Sequence, residues 1–424
     1  MLFPVLSLMS GLLADEKQMT NKRRIYLDHA ATSPVLEECL DEMIRTAREC
    51  YANPSSIHAP GKAAKKKLED YRRGFMNGLF RICNQVDENE GREDGGRATG
   101  AEEDAWEVVF TSGGTESNVS AWAGVLAAGK KGHIVTSAIE HPSILECGKN
   151  AALMGGEMVL VPPDRSGRVD PARFLEKIDR NVVMVSMMAV NNETGIVQPA
   201  AEVFLELKKR FPRIVLHSDA VQALGNVSLR EIMSVADLIT LSAHKIGGPR
   251  GCGALLHRRG VPFQPLLCGG GQENKMRSGT ENLPAVGGFV KALELLADWG
   301  GLRMGRVRSA RTMMRDLLLS SANAHGIDVR INEDQDNQSP HILSVSVRDV
   351  PSEALTRALS ERSVDASPGS ACLSSGTKQS HVLQSMGVPP NWSTIRFSFS
   401  LAVSTEDVQY AGDAWLDCVR ELML

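Results

Sequence analysis

The stretch that decides the fold is ADLITLSAHKIGG, residues 236–248. Its first part, ADLITLS, is a short and mostly apolar run that is typical of a strand buried on both faces, as in a parallel sheet. A polar tip with a lysine and two glycines follows at once. In open α/β sheets, ligands bind beyond the carboxyl ends of the strands, so this stretch predicts a chemically active tip.

The same unit recurs on both sides of this stretch. Between residues 106 and 257, short apolar runs alternate with polar or glycine-rich tips and with helix-like segments at 116–128, 143–154 and 199–210. This alternation predicts an α/β fold with a mostly parallel sheet and helical crossovers. The other runs are WEVVF from 106, HIVTSA from 133, VVMVSMMAV from 182, IVLHS from 214 and GALLH from 253.

Each of these tips carries polar side chains. TSGGTES (111–117) joins a strand to a helix, where glycines let the backbone approach an anion and the helix N-terminus favours negative charge. Taken alone, the motif is explained equally well by phosphate binding at Gly114 and Thr115 or by ordinary helix capping. The remaining tips are SAIEH (137–141), AVNNETG (189–195), HSDAVQA (217–223) and SAHKIGG (242–248).

Lys245 suggests the cofactor. A lysine directly after a buried strand is partly desolvated, which would lower its pKa and make the amine a nucleophile. A phosphate cradle plus such a lysine predicts pyridoxal 5'-phosphate (PLP), which also needs an acid beside its ring nitrogen. Asp219 is the candidate acid, and His141 is a candidate proton shuttle over the ring. Each residue alone is more often structural, but their order at successive tips favours an active site.

Composition limits the class of protein. The chain has 424 residues, which fits two domains, and its 47 basic and 51 acidic residues give a net charge of −4. This balance predicts neither nucleic-acid nor anionic-membrane binding and favours a soluble enzyme that acts on a small molecule. The eight cysteines form no CxxC pair and no zinc-type spacing, so we expect no metal site, no disulfide framework and a reducing compartment.

Two segments depart from the rest of the chain. Residues 1–13 are apolar but too short to span a bilayer and lack the basic start of a secretory signal. We expect a packed or frayed extension over 1–24, with a targeting role as the weaker alternative. Residues 87–104 contain eight acidic residues and no large apolar side chain, which predicts a solvated loop rather than an acidic docking segment.

An ordered set of motifs from about Ile25 to near the C-terminus resembles cysteine desulfurases, which belong to the class V aminotransferase group with fold type I. The resemblance implies a PLP-binding large domain over 34–297 and a smaller α+β domain built from 25–33 and 298–424. The motifs are YLDHAATSP (26–34), ANPSSIH (52–58), FTSGGTESN (110–118), IEHPS (139–143), NNETG (191–195), SDAVQALG (218–225), SAHKIGGPRG (242–251), GGGQENKMRSGTEN (269–282), SPGSACLSSG (367–376) and IRFS (395–398).

The resemblance also implies roles for individual residues. Lys245 would bond covalently to PLP, Asp219 would pair with the ring nitrogen, and His141 would stack on the ring and move protons. Asn53 and Arg396 would bind the substrate carboxylate. The residues themselves show only that a cation embedded in the apolar run STIRFSFS needs an anionic partner, either a structural acid or a substrate carboxylate. Further cofactor contacts would come from Gly114, Thr115, Asn192, Gln222, Ser242, His244 and, from the partner subunit of a homodimer, Thr280.

Cys372 lies in DASPGSACLSSGTK, whose composition predicts an exposed loop. The resemblance implies that it takes the sulfur of L-cysteine as a persulfide and passes it to an acceptor such as an iron–sulfur scaffold protein, while L-alanine leaves. The other seven cysteines are expected mostly in the core. Selenocysteine lyase is the nearest alternative, and a non-catalytic partner-binding protein on the same fold is another. The expected compartment is the cytoplasm, with the mitochondrion as the alternative.

Overall fold

The structure is a computed structural model. It describes residues 24–84, 105–129, 132–151, 156–369 and 379–423. The acidic segment 87–104, residues 1–23 of the predicted extension, and Cys372 lie outside the described residues.

The strands of the described segments form three sheets. In chain order they are β1 (Ile25–Tyr26), β2 (Trp106–Thr111), β3 (Gly132–Ser137), β4 (Gly156–Val161), β5 (Val182–Ser186), β6 (Val215–Asp219), β7 (Leu238–Ser242), β8 (Gly253–Arg258), β9 (Val329–Ile331), β10 (Ile342–Arg348), β11 (Val364–Asp365), β12 (Ser367–Pro368) and β13 (Trp392–Ser398).

Each of the three helices that the sequence predicts is present and begins within two residues of its predicted start. In chain order the α-helices of the described residues are α1 (Glu37–Glu49), α2 (Ala59–Cys83), α3 (Gly114–Ala127), α4 (Pro142–Ala151), α5 (Pro171–Leu175), α6 (Ala200–Arg210), α7 (Arg230–Val235), α8 (Leu283–His325), α9 (Ser352–Glu361), α10 (His381–Ser385) and α11 (Thr405–Leu422).

A seven-stranded sheet in the order β2-β8-β7-β6-β5-β3-β4 carries the predicted tips. The neighbours from β7 to β4 all pair in parallel, while β8 is antiparallel to both β2 and β7. The α/β prediction with a mostly parallel sheet is therefore confirmed. The run GALLH is the antiparallel member. Strand β4 was not predicted; it is an edge strand of the sheet, in which Glu157 and Leu160 are exposed.

A second core surrounds the antiparallel sheet β12-β13-β10-β9. Trp415 of α11 and Phe397 of β13 are fully buried there, together with Leu318 of α8. Helix α8 is 43 residues long and supplies side chains both to the main core, which packs against the seven-stranded sheet, and to this second core. It is interrupted at Gly300, where φ is +47°. The domain bounds 34–297 and 298–424 stay a prediction.

Among the helices of the described segments, none combines the length and the apolar run that crossing a membrane requires. The seven described cysteines are all free thiols. Cys39, Cys83, Cys252 and Cys418 are buried, as expected, whereas Cys268 is exposed. Burial raises the pKa of the Cys39, Cys83 and Cys252 thiols to about 12, which makes them unreactive.

Gly195, in one of the tips of the large sheet, packs closely against Ile342 of the antiparallel sheet. Its φ is +78°, and a Cβ there would lie 2.8 Å from Cβ of Ile342. Gly260 has a similar φ of +85° with open space around it. Both alanine substitutions strain the backbone by about 1–2 kcal/mol. In chemical denaturation we expect Gly195→Ala to lower the free energy of unfolding by ~1–3 kcal/mol more than Gly260→Ala does, because the added methyl group is overpacked only at residue 195. Equal losses in the two variants would contradict this contact.

Candidate active site

The tips of the large sheet open on one cavity of about 750 Å³. Ten of the residues predicted from the sequence line it together, although more than 280 positions separate the first from the last. The structure therefore brings most of the predicted site to one place. These residues are Gly114, Thr115, His141, Asn192, Asp219, Gln222, Ser242, His244, Lys245 and Arg396.

Lys245 lies in a short 3-10 turn, Ala243–Lys245, that directly follows β7. Its ammonium donates hydrogen bonds to the carbonyl oxygens of Ala30 (2.8 Å) and Ala31 (2.6 Å). Both acceptors belong to the segment after β1, so that segment forms a wall of the cavity beside the amine. The amine is thus partly buried and held at the end of a central strand, as the sequence predicts.

Asp219 ends the neighbouring strand β6 and is 6% exposed. Its Oδ1 accepts a hydrogen bond from the backbone N–H of Val221 (3.0 Å), and its Oδ2 accepts one from Nδ2 of Asn118 (2.7 Å). Asn118 also donates to the hydroxyl of Ser143 (2.9 Å). These bonds fix the carboxylate, which can accept a further N–H from a ligand in the cavity. Asn118 was not predicted, although it lies one helical turn after Gly114 on the same helix.

The start of α3 and the end of β7 together form an anion cradle. Helix α3 begins at Gly114, so its first N–H groups have no partner within the helix. A Cβ at Gly114 would lie only 3.0 Å from Cγ2 of Val221, which shows how tightly the loop is packed. The Ser242 hydroxyl is buried, and no group in the described segments hydrogen-bonds it. It is therefore an unpartnered donor that a bound anion would satisfy.

His244 lies beside this cradle, with Nδ1 3.1 Å from the hydroxyl of Thr32. Burial, with a contribution from the charge of Lys245, lowers the pKa of His244 to about 4. The ring is therefore neutral near pH 7 and acts by hydrogen bonding rather than by charge. That behaviour fits an auxiliary contact to an anion held at the helix N-terminus.

His141 follows β3 and faces the same cavity. Its Nδ1 accepts a hydrogen bond from the backbone N–H of Ser143 (3.1 Å) and lies 2.8 Å from the Ser143 hydroxyl. Burial lowers the pKa of His141, an effect that the Asp219 carboxylate partly opposes. The ring is therefore neutral, and its proton lies on Nε2, because Nδ1 is an acceptor.

Arg396 lies in the middle of β13 and is 3% exposed. Its Nη1 donates to the carbonyl oxygen of Asn192 (2.8 Å), and its Nη2 donates to Oδ1 of Asp28 (2.8 Å). Its Nε is buried, and none of the described residues accepts from it. This arrangement leaves a donor for a carboxylate ligand. Asp28, the acid that balances the cation, was not predicted.

Two predicted residues do not line this cavity, and a third lies outside the described residues. Asn53 and Thr280 are exposed and do not line the cavity of their own chain. The side-chain oxygen of Asn53 accepts from the backbone N–H of Ser55 (2.8 Å). Cys372 lies in 370–378, outside the described residues, while Gly369 and Ser380 on either side of that segment line the cavity. The roles of Asn53, Thr280 and Cys372 stay predictions.

Two buried glutamates near the cavity were not anticipated. Glu193 lines the cavity, and its Oε2 accepts from the Ser380 hydroxyl. Glu140 is completely buried; its Oε1 accepts from Ser137 Oγ (2.6 Å) and from the backbone N–H of Met188 (2.8 Å). Burial raises the pKa of Glu193 to about 7 and that of Glu140 to about 8. Both lie in tips singled out for chemistry, but nothing in the sequence distinguishes buried carboxyls from solvated ones.

Comparison with known proteins identifies the family. The Aminotransferase class-V family model matches residues 89–411. Cysteine desulfurase IscS of Dictyoglomus turgidum is 36% identical over 405 residues, which cover 95% of this chain and 96% of the relative. The chain belongs to the cysteine desulfurase family. Cysteine desulfurase IscS of Methanosarcina thermophila is 34% identical over 412 residues, covering 96% of this chain and 94% of that protein.

Solved structures agree with this family assignment. A NifS-like protein has a TM-score of 0.79 at 30% identity, with 94% of this chain and 100% of that chain covered. SspA, solved in complex with cysteine, has a TM-score of 0.69 at 27% identity, with coverage of 89% and 99%. Enzymes of this family depend on PLP, which agrees with the cofactor predicted from Lys245 and the anion cradle.

The residues of the cavity fit PLP. The cofactor carries a phosphate, an aldehyde that bonds to a lysine amine, and a ring nitrogen that pairs with an acid. The cavity offers an unpartnered Ser242 hydroxyl at a helix N-terminus, the amine of Lys245, and the fixed carboxylate of Asp219. Each group of the cofactor thus has a chemically matched partner among the lining residues.

Ionisation of the buried Glu140 carboxyl lowers the free energy of unfolding of the protein, so the stability depends on pH. Its pKa is about 4.5 when solvated and about 8 in the folded protein, so the folded state resists its ionisation. The penalty is absent below pH 4.5, grows as the pH rises, and is complete above pH 8. Glutamine cannot ionise. We therefore expect Glu140→Gln to gain stability relative to wild type, on the order of 3 kcal/mol, between pH 5 and pH 8.5 in urea unfolding.

The matched control is Glu202→Gln, at a carboxylate whose side chain is 63% exposed. Its stability difference from wild type should stay constant over the same pH range. A constant difference for Glu140→Gln as well would contradict the raised pKa.

Proposed function

We propose that this chain is a PLP-dependent cysteine desulfurase, which converts L-cysteine to L-alanine and leaves the sulfur as a persulfide on Cys372. The observation that carries the proposal is the single cavity in which the Lys245 amine, the fixed Asp219 carboxylate and the buried guanidinium of Arg396 meet. The names of the relatives support the same reaction.

The chain's own residues have separate tasks in holding the cofactor. Lys245 would bond to it, Asp219 would keep the ring nitrogen protonated, and His141 would stack on the ring. The N-terminus of α3 with Thr115, Ser242 and His244 would hold the phosphate, and Asn192 and Gln222 would hydrogen-bond near the phenolic oxygen. When bound, PLP withdraws electrons from the substrate and so weakens its C–S bond.

Arg396 binds the substrate carboxylate in this proposal. Its guanidinium already spans from Asn192 to Asp28, so it is held in place before substrate arrives. Arg396 lines the cavity and its Nε is unpartnered among the described residues, so the guanidinium keeps donor capacity for an incoming carboxylate. Asn53 is proposed as the second contact.

The sulfur step balances without an added oxidant. The Cys372 thiolate attacks the substrate sulfur, so an S–S bond forms while the substrate C–S bond breaks. The electron pair of the broken bond stays with the substrate carbon, and a proton then completes the methyl group of L-alanine. His141 is proposed to move protons in the cavity. Gly369 and Ser380, which flank the segment of Cys372, line the cavity, and this supports placing the thiol within reach of the substrate.

The partners and the compartment belong to the same proposal. Thr280 is exposed on its own chain, which supports a homodimer in which it reaches the phosphate of the partner subunit's site. A sulfur-acceptor protein, such as an iron–sulfur scaffold, would take the persulfide sulfur. The free thiols among the described cysteines support a reducing compartment, and we propose the cytoplasm, with the mitochondrion as the alternative.

The reaction is tested by following labelled sulfur. After one turnover with sulfur-labelled L-cysteine, we expect the label on the peptide that contains Cys372, with L-alanine released in equal amount, as measured by mass spectrometry. Cys372→Ser should lose at least 100-fold in turnover of L-cysteine. Cys268→Ser removes the exposed cysteine of the described segments and should leave the label and the rate unchanged.

The same assay separates the nearest alternative. A desulfurase that depends on Cys372 keeps part of its turnover of selenocysteine in Cys372→Ser while it loses turnover of L-cysteine. Negligible wild-type turnover of L-cysteine would contradict the proposed function and favour selenocysteine lyase. A cofactor-free protein that turns over neither substrate would favour a non-catalytic binding protein.

A further inference from the structure

His341 does not line the cavity, but it hydrogen-bonds to a residue that does. It directly precedes β10 and is 4% exposed. Its Nε2 lies 3.1 Å from Oε1 of Gln222, a residue that does line the cavity. Its Nδ1 lies 2.5 Å from the hydroxyl of Ser339, which is fully buried. Both ring nitrogens of a buried histidine therefore have partners.

The protonation of the His341 ring follows from these partners. Burial lowers the pKa of His341 well below its usual range, and the nearby guanidinium groups of Arg303 and Arg396 act in the same direction. The ring is therefore neutral and carries a single N–H. An amide oxygen can only accept, so that proton must lie on Nε2, and the Ser339 hydroxyl donates to Nδ1.

The orientation of the Gln222 amide is fixed from the other side by an independent contact. Its Nε2 donates to the carbonyl oxygen of Ala30 (2.9 Å). A flipped amide would place Oε1 against that carbonyl and Nε2 against the N–H of His341, so two acceptors and two donors would face each other. Only the orientation seen in the structure satisfies both neighbours.

The Gln222 amide has a second N–H, which the contacts to Ala30 and His341 do not use. One N–H is used by Ala30, and Oε1 is held by His341, so the remaining donor is the one available to a ligand in the cavity. Ala30 is also the residue whose carbonyl oxygen accepts from Lys245. His341, Gln222 and Lys245 are thereby joined through one backbone carbonyl, next to the amine that binds the cofactor.

We propose that His341 is a positioning residue, which fixes the Gln222 carboxamide so that it donates an N–H to the phenolic oxygen of PLP. This inference rests on the proposed function, since it needs the cofactor in the cavity. Without the His341 donor, Oε1 of Gln222 is a buried acceptor without a partner. The amide would tilt to find one, and its N–H would no longer be held toward the oxygen.

The test compares His341→Met with His341→Gln in full-length protein reconstituted with PLP. The two side chains are close in length and shape, but only glutamine keeps an N–H donor near the position of Nε2. We expect His341→Met to raise the dissociation constant of PLP by about 5- to 10-fold, which is the effect of one lost buried hydrogen bond. His341→Gln should stay within about twofold of wild type.

A second readout follows the pH at which the visible band of lysine-bound PLP changes. A donor on the phenolic oxygen stabilises its negative charge, so loss of that donor makes the oxygen hold the shared proton to a higher pH. We expect the midpoint to rise by about half a unit in His341→Met. Ser339→Ala, which leaves Nδ1 without its donor, should shift the midpoint the same way by less and serves if His341→Met does not fold.

The role of Gln222 is isolated in a Gln222→Leu background. There His341→Met should change neither the dissociation constant nor the midpoint further, because its effect passes through the missing amide. An equal loss in that background would overturn the inference. So would identical behaviour of His341→Met and His341→Gln while wild type shows the visible band. Absence of the band in wild type would instead overturn the proposed function.

Discussion

The parallel alignment of β3, β5, β6 and β7 is the constraint on which the rest of the structure depends. Parallel strands end at the same edge of a sheet, so the tips that follow them must meet there. Residues as far apart in the chain as His141 and Lys245 thereby line one cavity. Strand β2 points the same way as β7, because β8 is antiparallel to both, and so it delivers the start of α3 to that edge.

The buried polar groups of this edge would be costly without partners, and most of them have one. Asn118 holds Asp219, Asp28 balances Arg396, and His341 holds Gln222. Buried atoms without a partner among the described residues include the Ser242 hydroxyl and Nε of Arg396, which belong to residues that line the cavity, and also Oδ1 of Asn118 and Oε2 of Glu140. Two of these unpartnered atoms are donors on cavity-lining residues, and such donors suit an anionic cofactor and an anionic substrate.

The fold was predictable because each central strand is a short apolar run that ends in a polar tip. The tip residues Asp219 and Lys245 could be found for the same reason. Their supporting residues could not, since these reach the site through contacts between segments that are distant in sequence. Asn118 and Asp219 are 101 positions apart, His341 and Gln222 are 119 apart, and Asp28 and Arg396 are 368 apart. No local pattern records such pairs.

We propose that Lys245, in the tip after β7, supplies the amine that binds PLP. Borohydride reduction of the purified protein, followed by peptide mapping, tests it directly. We expect a visible absorbance that borohydride removes and a single reduced PLP adduct, on the peptide that contains Lys245. An adduct on another lysine, or a protein that takes up no PLP, would contradict it.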